Sequence, residues 1–221
     1  MAVLIQKQRS TEGGPQQVYL PSQTPINGSG VPLFNNGLFY VQYGPSAAYG
    51  TSTTETSILN NSATTAVGFY TQGSAAAYPN STLTLQAGML SLGTVIYGRV
   101  TGVISNTSTP NLTVRWTLDT AGTSTVVYTI ATTGAVASTT TLSGSYFASN
   151  FQLVVTSTGT TGTIMADMDC WQGSTANSIV APASVTVNTG LPYTLDCLAT
   201  WGTSSSSNTL TVEYAYIGVR G

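Results

Sequence analysis

Histidine is absent from this 221-residue chain, and charge of either sign is scarce: Lys and Arg together number 5, Asp and Glu 7, and charged residues make up 5% of the sequence. Ordinary globular chains carry roughly 25%. The first absence excludes chemistry. Most catalytic designs that work near neutral pH use histidine as the proton carrier. Without it, Ser-His-Asp and Cys-His nucleophiles and histidine-ligated metal sites are ruled out. No P-loop lysine or G-x-G-x-x-G follows a strand-like stretch either. The chain therefore reads as non-enzymatic, with no catalytic residues, no cofactor and no metal site expected.

The second absence bears on partners. The few basic residues, Lys7, Arg9, Arg99, Arg115 and Arg220, are scattered along the chain. Nucleic-acid binding needs clustered Lys and Arg to displace counterions from phosphates, so no nucleic-acid partner is expected. No apolar run approaches the length of a membrane span, and no membrane partner is expected. The opening "MAVLIQKQRS" puts its apolar residues ahead of its lysine, the reverse of a signal peptide's order. The expectation is a chain made in a cytoplasm and not exported by that route. The two cysteines, Cys170 and Cys197, fit no metal-site spacing. Both fall on strand-like stretches, where small buried thiols are favoured over a disulfide.

What remains is a chain whose polar surface must be built from hydroxyls and amides. Such a surface has little charge repulsion to keep copies apart, which suits a protein held in an assembly. Residues 1–36 differ from the rest. Pro15, Pro21, Pro25 and Pro32 stand among glycines and asparagines. Proline cannot donate to a ladder and glycine is entropically costly to order, so a compact fold is not expected there. Yet Val18, Tyr19, Leu20, Val31, Leu33 and Phe34 need something to pack on. An extended arm that orders against a partner satisfies both facts.

From residue 37 to 221 the chain reads as strand after strand. "LFYVQY", "AVGFYT", "TVIYGRVTGVI", "NLTVRWTL", "STVVYTI", "FQLVVTS", "GTIMADMDCW", "YTLDCLATW" and "NTLTVEYAYIGV" are rich in β-branched and aromatic residues, with Gly, Ser, Asn and Thr between them. Period-two alternation is clear in Leu112, Val114, Trp116, Leu118 and in Tyr193, Leu195, Cys197, Ala199, Trp201; it continues in Leu210, Val212, Tyr214, Tyr216. Many short antiparallel strands make a sandwich or a closed barrel. The strand number favours an all-β, jelly-roll-like antiparallel β-sandwich over residues 37–221, behind an extended N-terminal arm over 1–36. Trp116, Tyr214 and Tyr216 read as core rather than as a carbohydrate-stacking face. Asp167 and Asp169 lie two apart and share a face with Met165 and Trp171. A solvent- or subunit-facing strand is preferred there over a glycosidase carboxylate pair or a Ca²⁺ site. Asp119 reads as a turn former at a strand end.

Three segments carry a resemblance. "LQAGMLSLGTVIYGRVTG", "PNLTVRWTLDT" and "LPYTLDCLATWGTSSSSNTLTVEYAYIGV" are similar to a β-sandwich module of tailed-bacteriophage structural proteins, over roughly residues 82–218. Cys197 and Trp116 within core strands depart from that module's habit. The resemblance implies that Trp201-Gly202 ends one strand, that the serine run forms an exposed loop and that Asn208 opens the last strand. It also implies a virion location without enzymatic activity. The arm selects among such locations: one sandwich plus an arm is the simplest architecture for a capsid decoration, or cement, protein. The arm would grip the major capsid protein on the outer surface of the head, after assembly in the host cytoplasm. A homotrimer is expected, with a homodimer as second choice, and Phe39, Tyr40 and Tyr43 near the arm's exit are the expected contact. The alternative is a tail- or fibre-associated module recognising a host glycan.

Overall fold

The computed structural model describes residues 8–9, 15–16, 37–43, 48–50, 52–59, 84–121, 125–137, 141–179 and 184–220. The chain divides into two units, Met1–Phe34 and Asn35–Gly221. In the first, Gln8–Arg9 (β1) and Pro15–Gln16 (β2) form a short antiparallel ladder, an element the arm reading did not include. The proposed capsid-binding residues Val18, Tyr19, Leu20, Val31, Leu33 and Phe34 lie outside the described residues.

Every described element of the second unit is a strand, as β-branched and aromatic content leads one to expect. In chain order they are β3 (Gly37–Tyr43), β4 (Tyr49–Gly50), β5 (Thr56–Ser57), β6 (Thr84–Leu85), β7 (Val95–Asn106), β8 (Asn111–Thr120), β9 (Val126–Thr132) and β10 (Val136–Ala137). There follow β11 (Leu142–Ser157), β12 (Gly162–Gln172), β13 (Thr175–Ile179), β14 (Val185–Val187), β15 (Tyr193–Trp201) and β16 (Thr209–Arg220). Among the described residues no helix is long and apolar enough to cross a membrane.

The strands form two antiparallel sheets. The larger runs β13-β12-β11-β7-β16-β3, with β14 also on β12 and β4 also on β16. The smaller runs β10-β8-β15-β5, with β9 also on β8 and β6 also on β15. Pairing is nested: β7 with β16 outermost, β8 with β15 inside it, and the β11–β12 hairpin innermost. This is a long hairpin rolled over on itself, which gives the sandwich its jelly-roll-like character.

The sheets meet through alternating side chains. On β8, Leu112, Val114, Trp116 and Leu118 are fully buried. The Trp116 ring stacks on Phe151 of β11 with centroids 4.0 Å apart, and its Nε1 donates to Ser149 Oγ at 3.0 Å. On β7 the inward residues are Ile96, Gly98, Val100, Gly102 and Ile104. The two glycines are opposite Phe151 and Phe147 in register. The missing side chain of Gly98 leaves room for the Phe151 ring, and both glycines allow the close approach of β16. A Cβ on Gly102 would lie 1.9 Å from the Thr211 carbonyl oxygen.

The segments that carried the resemblance lie on the two outer pairs of this nest, β7 with β16 and β8 with β15. β15 ends at Trp201, and the Gly202 amide donates to the Asn111 carbonyl at 2.8 Å. Ser204, Ser206 and Ser207 are exposed. Asn208 is buried, and its Nδ2 closes the loop onto the Thr203 carbonyl at 2.9 Å.

Two sequence expectations change. Asp119 is not at an exposed turn; it lies inside β8 and is fully buried. The alternation of β16 is broken by a bulge between Val212 and Tyr214, where Glu213 is the extra residue. One extra residue reverses the phase of everything after it. Ala215, Ile217 and Val219 therefore fill the core, and Tyr214 and Tyr216 are half-buried on the outer face. Only Trp116 of the three expected core aromatics is in the core.

Candidate functional site on the outer face of the larger sheet

Four neighbouring strands supply this face. On β12 the buried residues Ile164, Met168 and Cys170 alternate with exposed Met165, Asp167 and Asp169 and half-buried Trp171. The face shared by those last four, expected from their spacing, is present. Register adds their neighbours. On β11, Asn150 stands between Asp169 and Arg99, and Gln152 between Asp167 and Tyr97. On β16, Tyr216 is opposite Arg99, and Gly218 is opposite Tyr97. Each row thus runs from a carboxylate through an amide to a tyrosine.

The tyrosines touch one another. Tyr97 and Tyr216 meet edge to face at 6.4 Å between centroids, and Tyr214 and Tyr216 are 5.7 Å apart. A Cβ on Gly218 would lie 2.5 Å from Tyr97 Cζ, so glycine is what lets that ring lie across β16. The Arg220 guanidinium carbon is 4.7 Å from the Tyr97 ring centroid, in cation–π range. Arg99 donates from Nη2 to the Tyr146 hydroxyl, and Tyr146 is 47% exposed. The cations are therefore engaged. The carboxylates are not: among the described residues the one ion pair is Arg115 with Glu55, which lies elsewhere. Asn150 Oδ1 is hidden from water and has no hydrogen-bond partner.

The smaller sheet holds its polar groups differently. Arg115 of β8 forms a two-pronged pair with Glu55 and donates from Nη1 to Thr129 Oγ1 at 2.9 Å. Fully buried Asp196 accepts from Ser57 Oγ and from the Cys197 amide, both at 2.7 Å. These contacts tie strands together. Among the described residues no three His, Cys, Asp or Glu side chains converge to hold a metal ion.

Cys170 and Cys197 are free and buried. Burial pushes the Cys170 thiol up to about 12; burial, then the Asp196 charge and the neighbouring Cys170, raise Cys197 well above its ordinary range. A thiol reagent at about pH 8 is expected to label neither cysteine in the folded protein and both after denaturation, because the thiolate is the reactive form. Each thiol holds its proton more tightly folded than unfolded. The contribution of Cys170 to stability is thus intact below the ordinary value of 9.0 and declines as pH rises toward about 12, and that of Cys197 changes in the same direction. Chemical denaturation across that range checks the sign.

The expected contact residues Phe39, Tyr40 and Tyr43 all fall on β3, with Tyr40 opposite Ile217 and Tyr43 opposite Tyr214. The structure places them on the strand next to β16, at the end of the larger sheet's order. Sequence reading missed Tyr97, Arg99, Asn150 and Gln152 as parts of a face. A signal existed in "TVIYGRVTGVI", where Tyr97 and Arg99 alternate with small or branched residues. In comparisons with known proteins, no family model, no curated protein and no solved structure matches this chain.

Proposed function

We propose that the chain is a non-enzymatic structural protein of a tailed-bacteriophage virion, a decoration (cement) subunit on the outer surface of the capsid. It is assembled in the host cytoplasm and bound to the major capsid protein through residues 1–36. The observation that carries the reading is the union in one chain of two unlike parts. One is a β-sandwich with 5% charge in the whole sequence, whose β7–β16 and β8–β15 pairs come from the segments that resemble phage modules. The other precedes it in sequence and consists of isolated apolar residues between prolines and glycines. The working form is a homotrimer, with a homodimer second, because a surface so poor in charge favours self-association and several arms grip a lattice better than one.

Removing residues 1–36 is expected to leave the β-type circular dichroism intact and to abolish binding to undecorated capsids. Light scattering before the capsids are added reads the trimer. Equal decoration by the truncated and full chains would refute the arm, and copy number in purified virions tests the location: comparable to capsid subunits for cement, a handful for a tail part. A second reading, a tail- or fibre-associated module recognising a host glycan, is favoured by one observation, the tyrosine- and amide-lined outer face.

A further inference from the structure

We propose that the outer face of the larger sheet, from β12 to β16, is a binding platform for a neutral polysaccharide. The inference holds for a head or a tail location, since it concerns what this face recognises and not where the protein sits.

The chemistry of the face is mixed in a particular way. Three strand-to-strand steps span roughly 14 Å, enough for an extended ligand to lie across β12, β11, β7 and β16. At one end is the contacting set Tyr97, Tyr214 and Tyr216. At the other are Asp167 and Asp169, with Asn150 and Gln152 between. A sugar ring has an apolar C–H face and a rim of hydroxyls that both donate and accept. Aromatic rings cover the first, while carboxylates and amides satisfy the second. Gln152, exposed between the two ends, offers an amide that both donates and accepts.

The same features argue against other occupants. A protein partner, including a second copy, would have to desolvate two carboxylates that have no cation of their own, and interface cores are depleted in Asp. An anionic glycan or a nucleic acid would meet those carboxylates, while Arg99 and Arg220 are engaged by Tyr146 and by the Tyr97 ring. Neutral hydroxyls fit a face whose two acids and two tyrosine-held guanidiniums offset one another.

The test uses the full chain. Affinity electrophoresis through gels containing dextran, mannan or a mixed-linkage β-glucan, and a printed array of neutral and acidic oligosaccharides, give the ligand set. At least one neutral polymer is expected to retard the protein at both low and high salt. Tyr216→Ala and Asp169→Ala are each expected to weaken that binding about tenfold or more. Thr113→Ala, on the other sheet, should leave it unchanged, and circular dichroism with thermal melting establishes that each variant is folded. Should Tyr216→Ala unfold, Asp169→Ala and Asp167→Asn carry the test alone, because both positions are exposed. No retardation by any neutral polymer, binding confined to acidic glycans and lost in salt, or equal binding by the variants would overturn the proposal. So would a self-association of the chain that Tyr216→Ala abolishes. Capsid binding and copy number are unaffected by any of these outcomes, so the decoration reading fails or stands separately.

Discussion

Trp116→Ala is expected to lower the thermal midpoint by on the order of 10 °C. The indole is fully buried, stacks on Phe151 at 4.0 Å and donates to Ser149 at 3.0 Å, so it joins the two sheets by both packing and a hydrogen bond. Truncating a buried tryptophan typically costs about 3–5 kcal/mol, from lost transfer energy and from the cavity left behind. In a chain of this size each kcal/mol shifts the midpoint by about 2–4 °C. Trp116→Phe separates the two contributions. It keeps most of the stack and leaves the Ser149 hydroxyl without its donor, an effect of about 1–2 kcal/mol. Calorimetry on the three proteins checks both figures. A loss below about 1 kcal/mol for the alanine variant would mean that this ring is not where the sheets are joined.

Gly102→Ala is expected to be nearly as damaging although it adds a single methyl. That methyl would sit 1.9 Å from the Thr211 carbonyl oxygen and 3.0 Å from Val212 Cα, which are backbone atoms of the adjacent strand. Relief requires β7 and β16 to part just where the Glu213 bulge begins, and overpacking of this kind costs about 1–3 kcal/mol or more. Gly98→Ala is the informative control. Its nearest neighbour, at 2.6 Å, is Phe151 Cε1, the edge of a side chain, with the Tyr216 carbonyl at 3.0 Å. A ring edge can rotate away more easily than a strand can move. Denaturant unfolding should therefore rank Gly102→Ala as the less stable variant, and the reverse order would show that β16 yields more readily than the Phe151 ring.

The fold was legible wherever a strand kept its period. β15 coincides with "YTLDCLATW", and the other quoted stretches fall on strands except "AVGFYT", which lies outside the described residues. The first half of β11, "LSGSYFASN", was not legible. Its serines and Gly144 (φ 57°) carry little β-propensity, and its ladder to β7 shifts register between Leu142 and Ser145. Pairing with long neighbours makes it a strand, an influence no local pattern contains. Short β10, β13 and β14, of two, five and three residues, were missed because so few residues show no period. The candidate face was half visible. Met165, Asp167, Asp169 and Trp171 share a strand, so period two suffices. Tyr97, Asn150 and Tyr216 come from three strands distant in sequence, and only register unites them. The phase of Tyr214 and Tyr216 was misread because a bulge leaves no mark in a run of alternating residues.

The nested pairing also sets a timetable for synthesis. Val95 opens β7 and meets Arg220, the last residue of β16. As the chain leaves the ribosome, β7 can join β11 early, but its other edge stays unclosed until β16 has emerged. An unclosed edge is a template for another chain, and slow, non-local closure lengthens the exposure. Most proteins guard such an edge with charge; here Arg99 is the one charged residue on β7. The nascent protein is therefore at its most vulnerable just before its final strand arrives, when crowding on a busy message brings identical open edges together.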